Sequence, residues 1–137
     1  MIRGIGVDVV EVDRIARILG GNGHERFLAR VYTSAELQYC VGKARRTEHL
    51  AARFAAKEAV FKALGTGWSG GIGWKDVEVR NEATGLPRVF LHGKALEVFR
   101  ERGGGKLLLS ISHTSRVAVA HAVWESEEPP GPPGAAG

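Results

Sequence analysis

Large apolar residues alternate with small or polar ones at the start of the chain, where Ile5, Val7 and Val9 are set against Gly6, Asp8 and Val10. That period of two predicts a strand with its isoleucine and valine side on a core, and it places Asp8 on the other face. The period then changes. Glu11 and Asp13 suit the first turn of a short helix in which Ile15, Ile18 and Leu19 make the apolar stripe, Arg14 and Arg17 project outward, and Gly20 with Gly21 ends the run. A second helical stretch, HERFLARVY, leads to Thr33, which has capping-box spacing to Glu36 and opens a third helix reaching about Cys40. After a basic loop, KARR at 43–46, residues 47–64 are rich in alanine, lack glycine and proline, and meet Gly65 where a helix C-cap favours glycine. Beyond GTGWSGGIG, the runs WKDVEVR and LPRVFLHG flank the turn NEATG as a hairpin. Residues 94–102 then read as a helix, GGGK as a turn, and KLLLSIS and VAVAHAVW as two strands joined by HTSR. Short strands interleaved with helices, without an internal repeat, predict an α+β fold: a small mixed domain of antiparallel strands packed on the long Ala-rich helix.

A chain of 137 residues with 44% hydrophobic and 25% charged residues fits one soluble domain. No apolar run approaches the ~18 residues of a bilayer span, and Asp8 interrupts the N-terminal apolar stretch. Neither a membrane partner nor a secretory signal is expected, and the location is read as cytoplasmic. Cys40 is the sole cysteine, which excludes an internal disulfide and a cysteine-based zinc cluster and points to a buried thiol. Charge is more telling. The net charge is +4, but residues 125–137 hold three acids, no base and four of the five prolines, which leaves residues 1–124 at +7. The expectation is a folded domain over 1–124 and a flexible acidic tail over 125–137 without chemistry of its own. The positive field of the domain suits phosphorylated ligands, acidic proteins or nucleic acid.

Two acids stand out against this background. On a wheel of about 100° per residue with Phe54 at zero, Leu50, Phe61 and Leu64 fall at roughly −40°, −20° and −80°, and Glu58 falls at about +40°, within the apolar side. A carboxylate there must be neutralised, paired or bound to a metal, because leaving it charged and alone in a dry site costs several kcal/mol. Lys62, one turn on, offers an intrahelical ion pair as the plain alternative. Asp8 sits in mid-strand between β-branched residues, where aspartate is disfavoured, its plain alternative being a solvated sheet face. If the long helix packs beside this strand, Asp8 and Glu58 supply two oxygen ligands to one hard divalent cation, magnesium fitting best, which keeps several waters and recruits phosphates. Lys57 and Lys62 flank Glu58 at roughly −60° and +80°, placed to grip phosphate oxygens from both sides. GTGWSG matches GxGxxG but follows a helix instead of a strand, so it fails the dinucleotide context, and no GxxxxGK[ST] run exists. Gly65 and its neighbours would instead let backbone approach a ligand. Ser112, His113, Thr114 and Ser115 put one imidazole and three hydroxyls on a single turn, either as binding groups or around a hydrogen-bonded turn histidine. His24, His49, His92 and His121 share no metal-ligand spacing.

Three segments in fixed order, GVDVVEVDRI at 6–15, RFAAKEAVFKALGTG at 53–67 and LSISHT at 109–114, resemble the holo-acyl-carrier-protein synthases, the short bacterial class of phosphopantetheinyl transferases. The resemblance spans residues 1 to about 124. It implies transfer of phosphopantetheine from coenzyme A to a serine of an apo acyl carrier protein, release of adenosine bisphosphate, and a place in fatty acid biosynthesis. It also implies magnesium as cofactor and a homotrimer with active sites between subunits. By the same resemblance Asp8 and Glu58 are the metal ligands, Lys62 meets the pyrophosphate, and His113 lies near the coenzyme with Thr114 beside it. Asp8, Glu58, Lys62 and His113 are then the catalytic set, and Lys57, Lys62, Gly65, His113 and Thr114 the coenzyme-binding set. Arg14 falls at a carrier-protein contact on the first helix, with Arg17, Arg26 and Arg30 as companions. KARR either holds the ribose phosphate of the coenzyme or is a solvated loop. Val10 stands where larger relatives have another acid, which limits the metal to two protein ligands, and the acidic tail runs past the usual end of the family. The base for the serine stays open among Glu58, His113 and a water at the cation. Two other classes explain less. A nucleic-acid-binding module accounts for the charge but has no recognised motif and no use for the two acids, and another magnesium-dependent nucleotide enzyme accounts for the acids but not for the basic first helix.

Overall fold

The computed structural model describes residues 1–66 and 71–127; the expectations for 67–70 of the glycine-rich stretch and for the tail beyond Glu127 lie outside the described residues. In chain order the elements are β1 (Ile2–Glu11), α1 (Val12–Leu19), α2 (His24–Val31), α3 (Ser34–Val41), α4 (Arg46–Leu64), β2 (Val77–Asn81), β3 (Pro87–Leu91), α5 (Gly93–Glu101), β4 (Lys106–His113) and β5 (Val117–Glu125). Among the described residues two antiparallel sheets form, one of three strands in the order β1-β5-β4 and one made by the β2-β3 hairpin. This is the expected α+β arrangement, with α4 packed against both sheets.

Helix α4 lies on the three-stranded sheet so closely that backbone meets backbone. A Cβ added to Gly6 would sit 1.9 Å from the carbonyl oxygen of Ala59, and one added to Gly4 would sit 1.9 Å from that of Ala63. On β5 the residues of the same face are Ala118, Ala120 and Ala122, all fully buried. Contact this tight needs glycine and alanine on both sides, and it reverses the orientation expected for β1. Gly4, Gly6, Asp8 and Val10 face the helix, while Ile5, Val7 and Val9 point away and are 65%, 55% and 61% exposed. The period of two identifies the strand, but hydrophobicity alone names the wrong face, because the buried side has to be small. Leu108 of β4, also exposed, extends the outer apolar face across β5, where it pairs with Val123 and Val123 with Ile5.

The single apolar stripe expected of α4 gives way to burial around most of its circumference. Glu48, Arg53 and Lys57 are buried along with Leu50, Phe54, Phe61 and Leu64. The open strip carries Glu58, half-buried, and Lys62, exposed, so Glu58 lies at the rim of the core and not inside it. The predicted capping box between Thr33 and Glu36 forms, and Glu36 does more than cap. Its Oε2 accepts the Val79 N–H at 2.9 Å, and its Oε1 pairs with the Lys57 ammonium at 2.8 Å, both side chains fully buried. Lys57 also donates to the carbonyls of Trp74 and Val77, which ties α4 to α3 and to the start of β2. Trp74–Asp76 form a single 3-10 turn in place of the strand start expected there, because the Asp76 carboxylate and the Asp76 N–H both bond back to Gly73.

At the other end, β5 continues to Glu125 and the Ser126 N–H donates to the Met1 carbonyl at 2.8 Å, so the folded domain runs past Trp124. Strand β4 extends through His113, leaving 114–116 as the connection to β5. Cys40 is fully buried, and burial pushes its thiol up. Among the described residues no helix is long and apolar enough to cross a membrane.

Candidate active site

The glycines of β1 decide where Asp8 goes. With Gly6 pressed on Ala59, the next side chain on that face reaches the open strip of α4. There the Lys62 Nζ donates to Asp8 Oδ1 at 3.2 Å and to the Val7 carbonyl at 2.9 Å, so Lys62 reaches across to β1. Glu58 feels both neighbours. Its carboxyl is pushed above the usual carboxylate range, first by burial and then by the Asp8 charge, while Lys62 and Arg14 pull it back. Two carboxylates that repel one another at a half-open rim form an arrangement that a divalent cation relieves. Among the described residues no third His, Cys, Asp or Glu joins them in a metal-binding group. A cation held by this pair therefore keeps most of its shell for water and phosphate.

Arg14 on α1 borders the same rim, its guanidinium 5.5 Å from the centre of the Phe54 ring and its charge acting on Glu58. Arg17 is exposed on α1, and Arg26 and Arg30 are exposed on α2, the neighbouring helix. The basic residues expected to meet a carrier thus begin at the edge of the carboxylate pair. On the other side, a cleft of about 550 Å3 is lined by residues that include Arg3, Gly4, Lys62, Gly65 and Arg102. Gly65 takes the left-handed conformation at φ 75° that the α4 C-cap demands, and Arg102 donates to the Leu64 carbonyl at 2.7 Å. Lys62 and the two arginines give this cleft a cationic wall suited to phosphate.

Lys57 does not belong to this site. Its ammonium is fully buried and bonds to Glu36 and to the carbonyls of Trp74 and Val77. Burial pushes its pKa down, and Glu36 works against that shift. The flank of Glu58 on which the wheel places Lys57 is covered by α3 and β2, a fact that helical spacing does not contain.

Nor does His113 join the carboxylates within one chain. It lies two strands over from Asp8 and two residues further along, which sets the Cα atoms about 12 Å apart. Its Nδ1 is 3.1 Å from Glu48 Oε1, and its ring meets His49 edge-on at 5.2 Å. Burial, then the neighbouring His113, push His49 down. The Thr114 hydroxyl oxygen accepts the N–H groups of Arg116 and Val117, both at 3.1 Å, and so shapes the turn. A second cleft, of about 480 Å3, brings Arg45 and Arg46 of the KARR run, Thr47 and Glu48 together with Ser115. Arg46 already belongs to α4, so the basic loop is shorter than expected. The sequence alone gives no sign of Glu48 as the partner of His113, since only the fold joins the start of α4 to the end of β4.

Residues 4–120 match the model of the 4'-phosphopantetheinyl transferase superfamily, and the chain belongs to that superfamily. It is 51% identical to the holo-acyl-carrier-protein synthase of Koribacter versatilis and 48% identical to that of Geotalea daltonii, in each case over 91% of this chain and 99% of the relative. The crystal structure of holo-acyl-carrier-protein synthase from Neisseria meningitidis superposes with a TM-score of 0.83 at 36% identity, covering 92% of this chain and 100% of that one. That of the Bacillus anthracis synthase, in complex with CoA (3',5'-ADP), superposes with a TM-score of 0.75 at 38% identity, covering 93% and 99%. The chain is accordingly an enzyme, a phosphopantetheinyl transferase of the holo-acyl-carrier-protein synthase class.

Proposed function

We propose that this enzyme transfers the phosphopantetheine group of coenzyme A to a serine hydroxyl of an apo acyl carrier protein, in the cytoplasm and in support of fatty acid biosynthesis. The observation that carries this is the meeting of Asp8, Glu58 and Lys62 at one open rim of α4, a place suited to a pyrophosphate. The serine oxygen attacks the β-phosphorus of the coenzyme. A new O–P bond forms as the bond to the bridging oxygen breaks, and adenosine bisphosphate leaves with the electron pair. The Lys62 side chain is 53% exposed, so it can turn from Asp8 to the leaving phosphate without disturbing the core, where it stabilises the developing charge. Asp8 and Glu58 would hold magnesium, which when bound supplies neutralisation of the pyrophosphate charge. The serine proton needs a nearby acceptor, and within one chain Glu58 is at the rim while His113 is about 12 Å from Asp8.

The exposed face formed by Ile5, Val7, Val9 and Leu108 supports a homotrimer in which neighbouring subunits cover it, since contiguous apolar surface of this kind marks an interface. His113 lies on the α4 side of that sheet, and its approach to coenzyme held by a neighbouring subunit is a separate part of the proposal. The acidic carrier docks on Arg14, Arg17 and Arg26, and neither nucleic acid nor a membrane is a partner. Incubation with coenzyme A, magnesium and an apo carrier, followed by intact-mass measurement of the carrier, tests the proposal. The expected result is a magnesium-dependent gain of the phosphopantetheine mass that Asp8→Ala and Glu58→Ala each abolish. An unchanged carrier, or wild-type rates in either variant, would reject it.

A further inference from the structure

The ring of His113 is held on two sides. Glu48, side chain 11% exposed and fixed in the first turn of α4, faces Nδ1 at 3.1 Å, and the His49 ring packs edge-on at 5.2 Å, itself 5.8 Å from the Tyr39 ring. A carboxylate only accepts hydrogen bonds, so the hydrogen between Glu48 and His113 belongs to Nδ1. In a neutral imidazole that leaves Nε2 as a bare acceptor, and the partner of one ring nitrogen thereby sets the chemistry of the other. Glu48 lines the same cleft as Arg45, Arg46 and Ser115, so it stands between the basic start of α4 and the turn that follows His113.

From this geometry we infer that Glu48 is a positioning residue: it fixes His113 as the Nδ1–H tautomer and aims Nε2 at the coenzyme. The inference rests on the assignment of His113 to the coenzyme site, and its test separates the two. Histidine labelled with 15N in the full chain reports the His113 tautomer directly by ring nitrogen NMR. The expected spectrum has hydrogen on Nδ1, with coenzyme A shifting chiefly the Nε2 resonance. An Nε2–H tautomer in the free enzyme would overturn the inference whatever the activity. In kinetics, Glu48→Ala should lower kcat/KM for coenzyme A about ten- to a hundredfold, the worth of a charge-assisted hydrogen bond. Glu48→Gln, which retains an accepting oxygen, should lose less. The Glu48→Ala, His113→Ala double variant should be no slower than His113→Ala alone, because Glu48 acts only through the ring. Additive losses would show that Glu48 serves the fold or the ligand by another route and would overturn the inference. Full activity in His113→Ala would instead remove His113 from the coenzyme site, while the NMR result still decides how its ring is held.

Discussion

Replacing Gly6 by alanine tests how the site is held together. The added methyl would lie 1.9 Å from the Ala59 carbonyl oxygen and 2.9 Å from both the Ala59 carbonyl carbon and the Ala63 nitrogen. These are backbone atoms within a helix of 19 residues, so no side chain can rotate out of the way. Reaching ordinary contact near 3.4 Å requires β1 and α4 to part by about 1.5 Å. Overpacking a filled contact costs about 1–3 kcal/mol, and a clash with rigid backbone belongs at the upper end. For a domain of this size ~3 kcal/mol lowers Tm by roughly 10 °C. Asp8 is two residues along the same strand, so the separation carries it away from Glu58 and Lys62, and a misplacement of about 1 Å is worth about 10²-fold in rate. Scanning calorimetry together with the initial rate of carrier modification reads both effects. Gly23→Ala serves as the control, because a Cβ there meets nothing within 4 Å. A Gly6→Ala enzyme with the Tm and rate of the wild type would refute close backbone packing as the device that places Asp8.

Lys57→Ala strands a buried Glu36 and should cost about 3–5 kcal/mol in urea unfolding while leaving KM for coenzyme A near the wild-type value; a stable variant with raised KM would return Lys57 to the ligand site. Glu78 is pushed up by burial, but the Thr33 hydroxyl, His92 and Arg80 outweigh that and bring its carboxyl from 4.5 down to about 2. A depressed acid stabilises the fold above its unfolded pKa, so this contribution is present above about pH 4.5 and is lost as pH falls toward 2. Glu78→Gln should flatten the acid limb of stability in that window, and an unchanged limb would contradict the assignment. Arg14→Glu should raise KM for the carrier more than KM for coenzyme A, and equal increases would count against Arg14 as a carrier contact.

The order of elements was legible in the sequence because each carries a local signal. Thr33 with Glu36 marks the start of α3, Gly65 marks the end of α4, and alternation marks β1. The two acids were legible as misplaced residues, yet for partly mistaken reasons. Asp8 lies on the buried face of β1 instead of the face away from the core, and Glu58 sits at the rim instead of within an apolar stripe. The first error arises because hydrophobicity patterns assume that the buried face is the large apolar one, whereas here backbone contact makes it the face of Gly4 and Gly6; the second arises because α4 is covered around most of its circumference, which a single stripe does not describe. Spaced glycines on a strand, together with an Ala-rich helix, hold that information and read correctly once close packing is considered. The burial of Lys57 and the partnership of Glu48 with His113 depend on which elements meet in space, so no local pattern contains them.

Titration of the full chain with magnesium in the presence of coenzyme A, followed by calorimetry and repeated on Asp8→Asn and Glu58→Gln, decides whether Asp8 and Glu58 share one divalent ion. One magnesium bound per chain, with binding lost in each variant while both remain folded, is the predicted result. Magnesium bound with wild-type affinity after either substitution would contradict it.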